Sequence, residues 1–211
     1  MKVLLLNGST RKSGCTALAL TEVARAVEAE GIETELLEMG GAPIRDYVAC
    51  GRCTDLGRCV FQDDIVNQCI EKARAADGFV FGSPVYYAHP SGQLLAAMDR
   101  MFYASGDVFA HKPAAAVVTA RRAGTTASLD AIQKYFTDAQ MPVVSSTYWN
   151  MVFGPAPELV ARDLEGLQTM RNLGRNMAWM LKCLQLGREH GVIPPDAETQ
   201  QWTNFNRGPE E

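Results

Sequence analysis

Five short stretches of this chain read as strands, and three of them are nearly continuous apolar runs, which limits the fold more than any other feature. They are Lys2 to Asn7, Glu33 to Glu38, Gly78 to Gly82, Ala114 to Thr119 and Pro142 to Ser146. A strand without polar alternation is buried on both faces, and such strands occur mostly in parallel sheets covered by helices. Helix-length segments separate them: Thr16 to Ala29, Asp64 to Ala76, Ser91 to Ala104 and Thr125 to Ala139. A last one runs from Pro157 to about Gly187, with Val160, Leu164, Leu167, Met170, Leu173, Met177, Leu181 and Leu184 spaced by three or four. That stripe reads as a face packed on the sheet. Alternating strand and helix implies right-handed crossovers, because each helix must bury its stripe on one face or the other. The expected fold class is α/β, a doubly wound five-stranded parallel sheet of order 2-1-3-4-5 with helices on both faces. Ligands in such sheets sit beyond the carboxyl ends of the strands, beside the switch point. The turns after Asn7, Gly82 and Thr119 are therefore where chemistry is expected. One domain over residues 1–187 is expected, followed by an extended tail over 188–211.

Composition narrows the class. The 211 residues carry 20 Lys plus Arg against 24 Asp plus Glu, a net charge of −4. The basic doublets are short and scattered, which argues against a nucleic-acid partner, since a polyanion needs a dense basic footprint. The apolar run at Val3 to Leu6 is too short for a signal-peptide core, and no run is long enough to cross a bilayer. A cytoplasmic protein with no membrane contact is expected, so the 6 cysteines read as free, reactive or metal-binding rather than as a disulfide framework.

The first turn, Gly8-Ser9-Thr10-Arg11-Lys12-Ser13-Gly14-Cys15-Thr16, leads straight into a helix. A helix start offers unpaired amides and a positive dipole end, and small hydroxyl residues let a phosphate come close. A capped turn with two solvated basic residues is the equal alternative on these residues alone. A triphosphate loop needs four residues between its glycines and then Lys; here Gly8 and Gly14 enclose five, and Cys15 stands in the place of that Lys. The dinucleotide pattern is absent as well. A terminal monophosphate fits what is left, held by amides and by Ser9, Thr10, Ser13, Thr16 and Arg11. At the third strand's end, Ser83-Pro84-Val85-Tyr86-Tyr87 is expected to stop the strand and offer a wall for a planar ring. Taken alone, the tyrosine pair fits hydrophobic filler or a subunit contact equally well. After the fourth strand, Thr119, Arg121, Arg122, Ala123 and Gly124 precede another helix start, which could stabilise negative charge on a cofactor.

Together these turns resemble the NAD(P)H-dependent FMN reductases of flavodoxin-like fold and their iron-sulfur flavoprotein relatives. The likeness covers roughly Met1 to Gly154. It rests on Leu6 to Lys12, Gly82 to Tyr87, Arg121 to Gly124 and Tyr148-Trp149-Asn150. The resemblance implies FMN, its phosphate on the first turn (Ser9, Thr10, Arg11, Ser13, Gly14, Cys15, Thr16), its ring against Ser83 to Tyr87, and its pyrimidine side facing Thr119 and Arg121 to Gly124. It implies NADPH or NADH as co-substrate, a small-molecule electron acceptor, and a homodimer or homotetramer with Tyr87 to Met101 as a contact region. The flavin is the reactive group, so no catalytic side chain is expected. One departure is Cys15, where the family usually has Asn; a neutral thiol is expected there.

The connection from Met39 to Asp63 is far longer than usual and contains Cys50, Cys53 and Cys59. Two cysteines separated by two residues can chelate a metal, and a third extends the cage. The resembling iron-sulfur flavoproteins carry four cysteines in this loop, and their first would fall at Tyr47. With one ligand missing, a structural or interface loop is preferred to an iron-sulfur cluster or zinc at Cys50, Cys53 and Cys59. The expected function is an FMN-dependent NAD(P)H oxidoreductase. The alternatives are an iron-sulfur electron carrier and a non-enzymatic anion-binding module.

Overall fold

The apolar runs form the centre of the sheet in the computed structural model, which describes residues 1–199 together with Gln201 and Thr203. The strands are β1 (Lys2–Asn7), β2 (Glu33–Glu38), β3 (Gly78–Tyr86), β4 (His89–Pro90), β5 (Ala114–Ala120) and β6 (Met151–Phe153). The helices are α1 (Cys15–Glu28), α2 (Cys53–Leu56), α3 (Val66–Arg74), α4 (Gly92–Ser105), α5 (Thr125–Asp138), α6 (Pro157–Val160) and α7 (Leu164–Glu189). The sheet order is β2-β1-β3-β5-β6, with neighbours along this path parallel and β4 an antiparallel appendage of β3. Counting the parallel strands alone, this is the expected 2-1-3-4-5 order.

Alternate residues of each central strand feed two cores. Val3, Leu5, Val80, Ala115 and Val117 pack with Leu20, Val23 and Val27 of α1 and with Met170, Leu173, Met177 and Leu181 of α7. Leu4, Leu6, Phe79, Phe81, Ala116 and Val118 pack with α3, α4 and α5 through Ile70, Met98, Met101, Ile132 and Phe136. Each fully buried large side chain contributes about 1.5–3 kcal/mol, so burial on both faces holds these strands at the centre.

The structure corrects three expectations. The fifth strand is not Pro142 to Ser146: that segment makes one isolated bridge, Val143 with Ala114, and the strand proper is β6. β5 advances from Ala114 to Val118 while the returning segment advances from Val143 to Met151, so the surplus residues loop out and only the two ends pair. Ser83-Pro84 does not stop β3, which continues alongside β5 to Pro84 and then pairs with β4. β1 ends opposite Gly82, leaving an open edge where a residue without an N–H is tolerated. The last helix is two. α6 ends before Asp163, whose carboxylate accepts from the Gly166 amide at 3.0 Å and from the Phe153 amide at 2.7 Å, capping α7 and tying it to β6. α7 runs to Glu189, two residues into the expected tail. Beyond it the described residues have no helix or strand, and residues 200, 202 and 204–211 lie outside the described residues.

α7 lies close on α1 because Gly174 has no side chain. A Cβ there would fall 2.6 Å from the Val23 carbonyl oxygen and 2.6 Å from Ala26 Cβ. Alanine would gain about 1 kcal/mol of helix propensity, but the obstructing atom is backbone, and overpacking costs roughly 1–3 kcal/mol. Gly174→Ala is therefore expected to lower the melting temperature by a few degrees. Gly187→Ala, whose Cβ would meet nothing closer than 3.6 Å, should leave it unchanged or slightly raised. Equal melting temperatures for the two variants would refute the close α1–α7 contact.

Candidate functional site

The site is built where β1, β3 and β5 end and α1 begins. The Gly8 amide donates to Gly82 O at 2.8 Å, tying the first turn to β3. Asn7 is fully buried; its Oδ1 accepts from the Ser9 amide at 3.0 Å, and its Nδ2 donates to Glu38 at 2.8 Å. Ser9 Oγ accepts from the Arg11 amide at 3.1 Å, and the Gly14 amide closes on Arg11 O at 3.1 Å. The turn is thus coiled by its own short side chains. Gly14 is the N-cap of α1, and no side chain caps this end, so the first amides and the positive end of a 14-residue helix remain available to an anion.

Two buried hydroxyls sit behind those amides. Thr16 Oγ1 and Thr119 Oγ1 are 3.0 Å apart. One hydrogen bond between two hydroxyls consumes one hydrogen, so the other hydroxyl keeps a donor to offer. Cys15 Sγ donates to Gly154 O at 3.6 Å. Burial pushes this thiol up, so it stays neutral and adds no charge against an anion. Burial likewise raises Glu38 above the usual carboxylate range, against the opposing hydrogen bond from Asn7 and the nearby Lys12.

These groups open onto a cleft of about 150 Å³ lined by Ser9, Arg11, Gly14, Cys15, Thr16, Pro84, Val85, Tyr86, Thr119, Ala120, Arg121, Gly154 and Pro155. Among these lining residues there is no carboxylate, in a chain with 24 Asp plus Glu, whereas two arginines stand at the rim. A roomier groove of about 440 Å³ between α4 and α5 shares no residue with the cleft. Its Tyr135 hydroxyl already donates to Asp99, and three aspartates, Asp99, Asp107 and Asp138, line it.

Ten of the residues singled out from sequence thus meet at the cleft, and seven do not line it. Thr10 and Ser13 are exposed. Ser83 lies behind the strand, where its Oγ accepts from the Ser91 amide at 2.8 Å and donates to Pro84 O at 2.8 Å. Tyr87 occupies the β3–β4 turn with a φ of 57° and is fully exposed, so only Tyr86 of the tyrosine pair faces the cleft. Arg122 and Ala123 are exposed. Gly124 caps α5 at a φ of 88°, where a Cβ would fall 2.8 Å from Val85 Cγ1, so it packs behind the wall. Tyr148 and Trp149 are exposed, and Asn150 is buried with its carbonyl accepting from Val118 N at 3.0 Å. Ala120, Gly154 and Pro155 were missed. The last two form the turn after β6, at the same edge of the sheet, and assigning the fifth strand to Pro142–Ser146 hid them. Cys50, Cys53 and Cys59 line a different pocket, together with Tyr47, Arg100 and Tyr103.

Comparison with known proteins gives the family and the fold. A family model described as NADPH-dependent FMN reductase matches residues 1–156. An iron-sulfur flavoprotein of Methanocaldococcus jannaschii is 33% identical over 196 residues, covering 88% of this chain and 100% of its own. An iron-sulfur flavoprotein of Methanosarcina thermophila is 28% identical over 195 residues, covering 90% and 100%. Among solved structures, RosB with bound 8-demethyl-8-formylriboflavin-5'-phosphate superposes with a TM-score of 0.67 at 16% identity, over 100% of this chain and 94% of that one. A flavodoxin from the Archaea superposes with a TM-score of 0.60 at 15% identity, over 86% and 99%. Fold and cleft define a flavodoxin-like α/β protein. The chain belongs to the NADPH-dependent FMN reductase family. Among the described residues no helix is long and apolar enough to cross a membrane.

Glu38 gives a test of the turn's support. Its folded pKa lies above the ordinary 4.5, so its contribution to stability is complete below that value and is lost as pH rises through the folded pKa. Glu38→Gln keeps an acceptor for Asn7 but cannot ionise. Its melting temperature is expected to exceed that of the wild type at pH 7, with the gap closing by about pH 4. A gap independent of pH would show that the Glu38 carboxylate is not strained by burial.

Proposed function

We propose that this cleft binds FMN and that the protein passes electrons from NADPH or NADH through it to a small acceptor such as a quinone or free flavin. The observation that carries the reading is the uncapped start of α1, opening onto a hydroxyl-lined cleft free of carboxylates, in a chain of this family. That donor set suits a phosphate monoester: amides of the first turn of α1, the Thr16 and Ser9 hydroxyls and the Arg11 guanidinium, with Thr10, Ser13 and Gly14 completing the turn. Pro84, Val85 and Tyr86 would wall the ring, with Ser83 and Tyr87 supporting that loop. Arg121, with Thr119 and the Arg122-Ala123-Gly124 approach to α5, would face the negative charge of a reduced ring. When bound, FMN supplies hydride acceptance and electron release, and the protein contributes orientation, ring burial and charge stabilisation. A cytoplasmic setting and a homodimer or homotetramer complete the proposal.

A second reading has one observation in its favour: the relatives named above are called iron-sulfur flavoproteins. It would make the chain an electron carrier with a cluster at Cys50, Cys53 and Cys59, which iron and sulfide analysis would detect.

The flavin assignment is tested by titrating flavin-free protein with FMN and following quenching of flavin fluorescence. Saturation at one FMN per chain with a micromolar or tighter Kd is expected, as is bleaching of the flavin band by NADPH or NADH without oxygen. Thr16→Val removes a hydrogen bond to a charged group, which is worth about 1.5–3 kcal/mol, so affinity should fall about tenfold or more. Absence of binding at micromolar FMN would refute the reading.

A further inference from the structure

The long loop between β2 and α3 plays no part in the cleft, yet it is tightly held. Its centre is Arg100 of α4, only 2% exposed. The guanidinium pairs with Asp64, whose side chain is equally buried, and Nη2 reaches Asp64 Oδ1 at 3.1 Å. It also donates to the Arg45 carbonyl at 2.9 Å and, from Nε and Nη2, to Cys59 Sγ at 3.3 and 3.2 Å. Asn67 of α3 grips the same residue by its backbone: it accepts from the Cys59 amide at 3.0 Å and donates to the Cys59 and Phe61 carbonyls at 3.0 and 2.8 Å. Phe61 lies beneath Arg45 and Arg100, with ring centroid distances of 4.6 and 5.4 Å. Burial opposes the Asp64 charge, but the Arg100 guanidinium and backbone amides outweigh it and hold the carboxyl below its usual range.

An iron-sulfur cluster, as the relatives' names imply, does not fit this loop as built. A four-iron cluster takes four thiolates, and the pocket here is lined by three cysteines, Cys50, Cys53 and Cys59, together with Tyr47. Tyr47 is stacked on Tyr103, with centroids 4.3 Å apart and planes 12° from parallel. The Cys53 thiol donates to Tyr103 O at 3.6 Å. The space that the three cysteines share with Tyr47 and Arg100 is about 20 Å³, room for about one water molecule. N–H bonds to Cys59 are compatible with metal ligation. The missing fourth thiolate and the filled space are not.

We propose that the Arg100–Asp64–Cys59 staple, with the Tyr47–Tyr103 stack at the fourth corner, holds this loop in a cluster-free form, and that Tyr47 is the residue that excludes the cluster. The test incubates wild-type protein and the Tyr47→Cys variant with ferrous iron and sulfide without oxygen, then measures iron and acid-labile sulfide per chain after desalting. Wild type is expected to retain well under one iron, and Tyr47→Cys about four irons and four sulfides, with a reduced-cluster electron paramagnetic resonance signal. Retention of three or four irons by wild type would overturn the proposal. So would a Tyr47→Cys variant that folds, judged by circular dichroism, and stays free of iron. Should that variant fail to fold, the wild-type measurement decides alone. FMN titration of the same wild-type sample is a separate readout, so iron uptake would sink this inference and leave the flavin reading standing.

Discussion

The missing side chain at Gly82 sets the geometry of the cleft. A Cβ there would fall 2.7 Å from Leu20 Cδ1 and 2.9 Å from Thr16 Cγ2, so α1 lies directly on the backbone of β3. Glycine inside a strand costs roughly 0.5–1 kcal/mol, less than the 1.5–3 kcal/mol that burying Leu20 contributes. The close approach brings the Thr16 hydroxyl within 3.0 Å of Thr119 on β5, the neighbour of β3 in the sheet. It also sets the uncapped amides level with the ends of β1, β3 and β5. A bulkier residue at this point would lift α1 and open the hydroxyl pair, and the cleft would lose its floor.

The rest of the turn follows from that placement. Between the end of β1 and the start of α1 the chain has only Gly8 to Gly14 in which to reverse. Buried polar groups there must find partners within the turn itself. Asn7 does this with both ends of its amide, one toward Ser9 and one toward Glu38. The cost is a carboxylate drawn partly out of water, which is why Glu38 holds its proton more firmly than usual. Partners for the turn come from below, leaving its upper amides free, and this separates an anion site from an ordinary capped helix.

How much of this was legible in the sequence depended on whether a local signal existed. The central strands announced themselves because burial on both faces removes polar alternation, and the first turn because hydroxyls and glycines cluster before a helix. The fifth strand misled because Pro142 to Ser146 has the stronger strand composition, while pairing is decided by how many residues the neighbouring strand offers. The β3–β4 hairpin gave no sign: its turn uses Tyr87 at a positive φ instead of Gly or Asn, so turn chemistry was silent. Asp163 was readable as a cap, being an acidic residue just ahead of an apolar period, and the continuous stripe from Val160 onward masked it. The lining by Gly154 and Pro155 was hidden by the misplaced fifth strand. Which face Tyr86 and Tyr87 present is set by the hairpin, which no spacing rule could supply.

α4 joins the two halves of the molecule's chemistry. At its start, the Ser91 amide is fixed to Ser83 on β3, one residue before the wall of the cleft. Midway along, Arg100 holds the cysteine loop through Asp64 and Cys59. Removing one member of a buried ion pair leaves the other charge uncompensated and costs about 3–5 kcal/mol, far more than a surface contact. The loop therefore cannot loosen at Cys59 without disturbing a helix that is also anchored at the cleft. A metal centre would supply the same rigidity by ligation; here a guanidinium supplies it by charge and hydrogen bonding.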